Sequence, residues 1–142
     1  MKKQFTYREL NEFTGTAQAY LAQNTEGKEP GQAPMTKLAY ALQKLIKRAK
    51  PILQNLSDKL EDARIENAAE DPETKVLLTD EKGNFRYSRE GMKSMTSTQR
   101  SAFTETVEFE GHFVHPNDIP EDLPTSIRDK FIGFVIEPEP GA

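Results

Sequence analysis

In a chain without cysteine, histidines and carboxylates carry most of the acid–base and metal chemistry, and here they gather once. His112 and His115 form H-x-x-H, with Glu108, Glu110 and Asp118 close by in sequence. Zinc requires three or four ligands converging on one point. Side chains alternate along a strand, so residues i and i+3 point to opposite faces. The two imidazoles therefore diverge unless the chain bends at Gly111 or Pro116. As general bases they have no nucleophile partner at a recognisable spacing. The expectation is no catalytic residue, no metal and no cofactor at this place.

A second cluster, Asp80-Glu81-Lys82-Gly83-Asn84, superficially resembles the start of a calcium loop. Lys82 stands where an oxygen ligand belongs, and no bidentate Glu follows at the twelfth position. The segment reads instead as a hairpin turn, with Gly83 at a positive φ. The Ser/Thr run Ser94–Ser101 is explained by helix capping. No G-x-S-x-G, G-x-x-x-x-G-K-[ST] or G-x-G-x-x-G is present. Catalysis thus has no motif behind it, and the chain is expected not to be an enzyme.

The remaining candidate is electrostatic. Lys37, Lys44, Lys47, Arg48 and Lys50 crowd one stretch, and such a face can meet phosphates. Two features argue against nucleic acid: Tyr40 is the only aromatic nearby in sequence, and the pI is about 5.3. Charge is graded along the chain. Residues 1–50 hold nine Lys/Arg against four Asp/Glu, residues 51–104 eight against ten, and residues 105–142 two against nine. Such a dipolar chain can fold its acidic end onto its basic end, associate head to tail, or offer the basic face to an anionic partner.

These residues have to be held by elements. Thr36 to about Asp71 forms one long amphipathic stretch, with apolar residues at Leu38, Leu42, Leu45, Ala49, Ile52 and Leu56 spaced 4, 3, 4, 3 and 4 apart. Ala39, Ile46 and Leu53 widen the stripe to a width that suits a globular core. Pro51 predicts a kink or break near Lys47–Pro51. A stripe formed by Leu38, Leu42, Leu45, Ile46 and Ile52 must be covered, by the chain itself or by a partner. It is the expected protein-interaction face, through a partner protein or self-association.

Before it, Thr6 and Glu9 form a capping box, with Phe5 and Leu10 in the staple positions, predicting a helix over about 7–22. Residues 23–34 hold two Gly and two Pro and read as a long loop. After the long helix, 75–79 and 84–88 read as the strands of a hairpin, and Thr96–Gln99 as the cap of a short helix to about Thr104. Thr106–Glu110 alternates as a strand with Val107 and Phe109 on its buried face, continued past a bulge by Gly111–His115. Thr125 to about Ile132 reads as a last helix stopped by Gly133. The fold class is α+β: a helical hairpin with one long amphipathic helix packed beside a small antiparallel β-sheet. One domain is expected over 1–136, with a tail at 137–142.

This order of parts, with D-K-L-E-D-A-R at 58–64, T-D-E-K-G-N at 79–84, T-V-E-F at 106–109 and I-P-E-D-L-P at 119–124, resembles small phage and prophage proteins of uncharacterised function, usually encoded among structural and packaging genes. The resemblance covers about residues 35–136 and carries no site residues across. It implies an accessory or assembly role, in the cytoplasm or associated with a virion. The sequence accordingly predicts a non-enzymatic interaction or assembly protein acting through a helical face, with a nucleic-acid-binding regulator using the basic face of residues 36–50 as the alternative. No segment approaches the ~20 apolar residues that span a bilayer, so no membrane association is expected, and no small-molecule ligand is legible.

Overall fold

The computed structural model describes residues 2–25 and 36–138. The expected loop at 23–34 and the expected tail fall mostly outside them. The described chain forms β1 (Lys2–Thr6), α1 (Tyr7–Thr25), α2 (Lys37–Asn67), α3 (Arg89–Thr104), β2 (Thr106–Glu110) and α4 (Thr125–Phe131). The class is α+β. The sequence predicts one domain over 1–136; the chain divides into two compact units, Met1–Ile52 with Thr106–Ala142, and Leu53–Glu105.

In the first unit, β1 pairs antiparallel with β2, from Lys2 opposite Glu110 to Thr6 opposite Thr106. The sheet is therefore built differently from the expected one, in which Thr106–Glu110 joined the 75–88 hairpin. β1 escapes a sequence reading because only one of its five side chains, Phe5, is buried, so it shows no alternation. α1 begins as its capping box requires. The Thr6 N–H donates to Glu9 Oε1 at 2.9 Å, and the Glu9 N–H donates to Thr6 Oγ1 at 3.1 Å. Phe5 and Leu10, the staple pair, are both buried. α1 continues through Gly15, and the buried Thr14 hydroxyl donates to the Leu10 carbonyl at 2.6 Å, within the helix.

The core of this unit is aromatic. Phe134 stacks on Phe5 (ring centroids 4.2 Å apart) and on Phe13 (4.1 Å), while Phe131 meets Phe13 edge-on at 5.8 Å. These contacts hold α1 against β1 and α4. α4 stops where expected, with Gly133 at φ +92. The expected continuation of β2 through Gly111–His115 is not a strand of the sheet. It is a loop fastened to the turn after α4, with the His112 N–H donating to the Phe134 carbonyl (2.8 Å) and the Val114 N–H to the Val135 carbonyl (2.9 Å). Glycine at 111 permits this approach, because a Cβ there would stand 2.6 Å from the Phe134 carbonyl oxygen.

α2 is capped by Thr36, whose Oγ1 accepts from the Ala39 N–H at 3.0 Å. It runs unbroken to Asn67, through Pro51. Of the kink or break predicted near Lys47–Pro51, the break does not occur. Pro51 is exposed, so water can satisfy the Lys47 carbonyl that loses its helical donor. The first part of α2 buries Leu38, Ala41, Leu42, Leu45 and Ala49 in the first unit.

In the second unit α2 buries Leu56 and Ala63, and Asn67 closes it by donating from Nδ2 to the Ala63 carbonyl at 2.7 Å. The predicted hairpin is present as a single bridge, Thr79 to Phe85, around Gly83 at φ +83. Ala69 joins it edge-on, donating to the Arg86 carbonyl and accepting from the Leu78 N–H. α3 starts well before Thr96, capped by Ser88, whose Oγ accepts from the Gly91 N–H at 3.0 Å. Lys59 and Glu105 form an ion pair.

Candidate partner-binding surface

The first half of α2 has two faces of opposite character. Leu38, Leu42 and Leu45 of the expected interaction stripe are at most 1% exposed, and Ile46 and Ile52 are half-buried. The stripe is thus largely core of its own unit, and its first three leucines offer no surface to a partner. The periodicity required the stripe to be covered but could not say by what.

On the other face, Lys37, Lys44, Lys47 and Lys50 are exposed. Lys37 Nζ lies 3.9 Å from Asp118 Oδ2, while Lys44, Lys47 and Lys50 make no ion pair among the described residues. Arg48 stands apart. It is half-buried, and its Nη1 donates to the Glu110 carbonyl at 2.6 Å, which ties α2 to the end of β2. Arg48 therefore has a structural task that the other four cations lack.

The fold adds a feature that local spacing does not reveal. The loop Gly111–His115, fastened to the turn after α4, brings the two histidines to the start of α2. A groove of about 430 Å³ results, lined by Lys37, Tyr40, His112, Phe113, His115 and Asp118 among others. Tyr40 and His112 meet edge to face at 6.2 Å. His115 Nδ1 accepts from the Asn117 N–H at 3.1 Å and so caps the short 3-10 turn Pro116–Asp118. In a neutral ring this places the proton on Nε2. Among the described residues no group of three His, Asp or Glu is placed to hold a metal ion. The aromatic neighbours of the basic face are thus Tyr40, His112 and Phe113, of which the sequence identifies Tyr40 alone.

The Asp80 segment is occupied by its own backbone. Asp80 Oδ1 accepts from the Lys82 N–H (2.8 Å) and the Asn84 N–H (3.0 Å), the pattern of a side-chain-closed turn. No helix among the described residues is long and apolar enough to cross a membrane. Comparison with protein-family models, with curated proteins and with solved structures finds no match.

Proposed function

We propose that this chain is a non-enzymatic interaction or assembly protein that meets an anionic partner through the basic face of α2. One observation carries the reading: the helix buries its leucine stripe and leaves Lys44, Lys47 and Lys50 exposed without an ion pair among the described residues. Like charges held along one face repel each other, and a partner of opposite sign relieves that repulsion. The helical face at work is then the polar one, since Leu38, Leu42 and Leu45 are enclosed. Such a part fits the accessory or assembly role implied by the resemblance to small phage and prophage proteins.

A second reading, nucleic acid as that partner, is favoured by the exposed Tyr40 beside the lysines and by the aromatic groove adjoining it. Binding of the full chain to polyglutamate and to oligonucleotides, followed by fluorescence anisotropy, tests both. The Lys44→Gln/Lys47→Gln variant is expected to weaken whichever complex forms and to reduce its salt dependence. A complex unaltered by this pair, or no binding to any polyanion at about 50 mM salt, refutes the basic face as the working surface.

A further inference from the structure

We propose that the groove at the start of α2 is a site for single-stranded nucleic acid, with bases lying against Tyr40 and Phe113 and phosphates following Lys37, Lys44 and Lys47. This rests on the nucleic-acid reading of the basic face and adds the type of strand and the role of each contact.

The rings come first. Tyr40 is 53% exposed and Phe113 48%, although the same unit encloses Phe13, Phe109 and Phe131 almost completely. Both rings line one groove, and the loop that carries Phe113 is fixed on either side by the backbone bonds of His112 and Val114. The edge-to-face contact with His112 orients the Tyr40 ring. These are firmly mounted aromatic surfaces facing solvent.

The cations are set around them. At 3.6 residues per turn, Lys37, Tyr40, Lys44 and Lys47 fall within an arc of about 80° on α2 and span about 15 Å of its length. The tyrosine therefore stands inside the row of ammonium groups. Its three ammonium groups can neutralise about three phosphates of a strand. Among the described residues Asp118 is the sole carboxylate lining the groove, and Lys37 stands 3.9 Å from it.

The chemistry then selects the strand. In a duplex the base faces are covered by their neighbours, so an exposed ring gains a stacking partner only where the strand is unpaired. A helix reading duplex base edges places Arg or Lys on guanine and Asn or Gln on adenine. On this face the one arginine is tied to the Glu110 carbonyl, and the exposed Tyr40 and Phe113 rings have no use in such a duplex complex. Lysines and rings together serve phosphate contact and stacking on an unpaired strand. An acidic peptide can pair with the same lysines but gains nothing from the rings.

The test uses the full chain with three labelled probes: an oligothymidylate of about twelve nucleotides, a duplex of the same length, and polyglutamate. Binding is measured by anisotropy from about 50 to about 150 mM salt. The single strand is expected to bind most tightly. Tyr40→Ala/Phe113→Ala should weaken it by about thirtyfold or more at an unchanged salt slope, at about fivefold or more per ring. Lys44→Gln/Lys47→Gln should lower the log–log slope by about 1.4, at ~0.7 per phosphate on a single strand. Both ring positions are surface sites, and circular dichroism verifies that each variant keeps its helices. Equal binding of duplex and single strand, with no effect of the ring variant, overturns the groove and leaves the basic face standing. Preferential binding of polyglutamate, insensitive to the rings, assigns the surface to a protein partner and overturns the proposal. No binding to any probe refutes the groove and the basic face together.

Discussion

Asp71 opens the turn after α2. Its Oδ1 accepts from the backbone N–H of Glu73 at 2.9 Å and of Thr74 at 3.1 Å. Hydrogen bonds to the charged form hold its carboxyl below its ordinary value, chiefly through these two N–H groups. A carboxyl with a lowered pKa in the folded state adds stability above its unfolded pKa, and the contribution is lost as pH falls through the folded value. Asp71→Ala is therefore expected to lower Tm at pH 7, with the gap to the parent chain narrowing below about pH 4. Thermal melts at the two ends of that range check it; a gap that stays constant removes the assignment. Four residues on, Lys75 takes φ +63, a left-handed conformation that is costly for a residue with Cβ. Gly83 and Gly133 announce their positive φ by residue type and position, at φ +83 and +92. Lys75 does not, because nothing local marks a lysine for that region; the turn imposes it, through the Lys75 N–H bond to the Asp71 carbonyl at 2.9 Å.

Elements written in local chemistry were legible. The reciprocal bonds of Thr6 and Glu9 and the stop at Gly133 act within four residues, so a short window contains them. The start of α3 was not, because Ser88 caps it without a glutamate at the third position, and the stronger pattern at Thr96–Gln99 lies inside the helix. Pro51 reads as a local defect where a kink or break is expected, and the helix continues through it. Tertiary burial on both sides of it, Leu45 and Ala49 before and Leu56 after, holds the helix together across the missing donor. Pro51→Ala should then raise the stability of the chain by about 1–3 kcal/mol, the cost of a proline inside a helix. Chemical denaturation reads this directly, and an unchanged midpoint would mean that α2 accommodates the ring without cost.

At the scale of the whole molecule, the candidate site was half legible. The lysines declare themselves by proximity, whereas Phe113 and His112 reach Tyr40 only through a loop whose position depends on Gly111, Phe134 and Val135. The apolar stripe was visible as a surface needing cover, and the fold encloses most of it within one chain. Leu45→Ala is accordingly expected to cost about 2–5 kcal/mol, as for a fully buried leucine. Its Tm should not depend on protein concentration, because no second chain is needed to cover that residue. A concentration-dependent melt, together with light scattering above one chain mass, would show that Ile46, Ile52 and their surroundings join copies of the protein after all.

The pairing of Lys2–Thr6 with Thr106–Glu110 has a consequence for how the molecule is made. The second compact unit, Leu53–Glu105, is continuous, and it is complete on the ribosome before the partner of the first strand exists. At about 5–20 residues per second the first strand waits roughly 5–20 seconds for its mate. Closing so long a loop also makes that sheet a late event in any refolding experiment. Throughout that interval Phe13 lacks the Phe131 and Phe134 rings that later pack on it. The nascent chain therefore carries an uncovered apolar ring on its first helix until its last residues are made, the condition in which a chaperone binds or two unfinished chains aggregate.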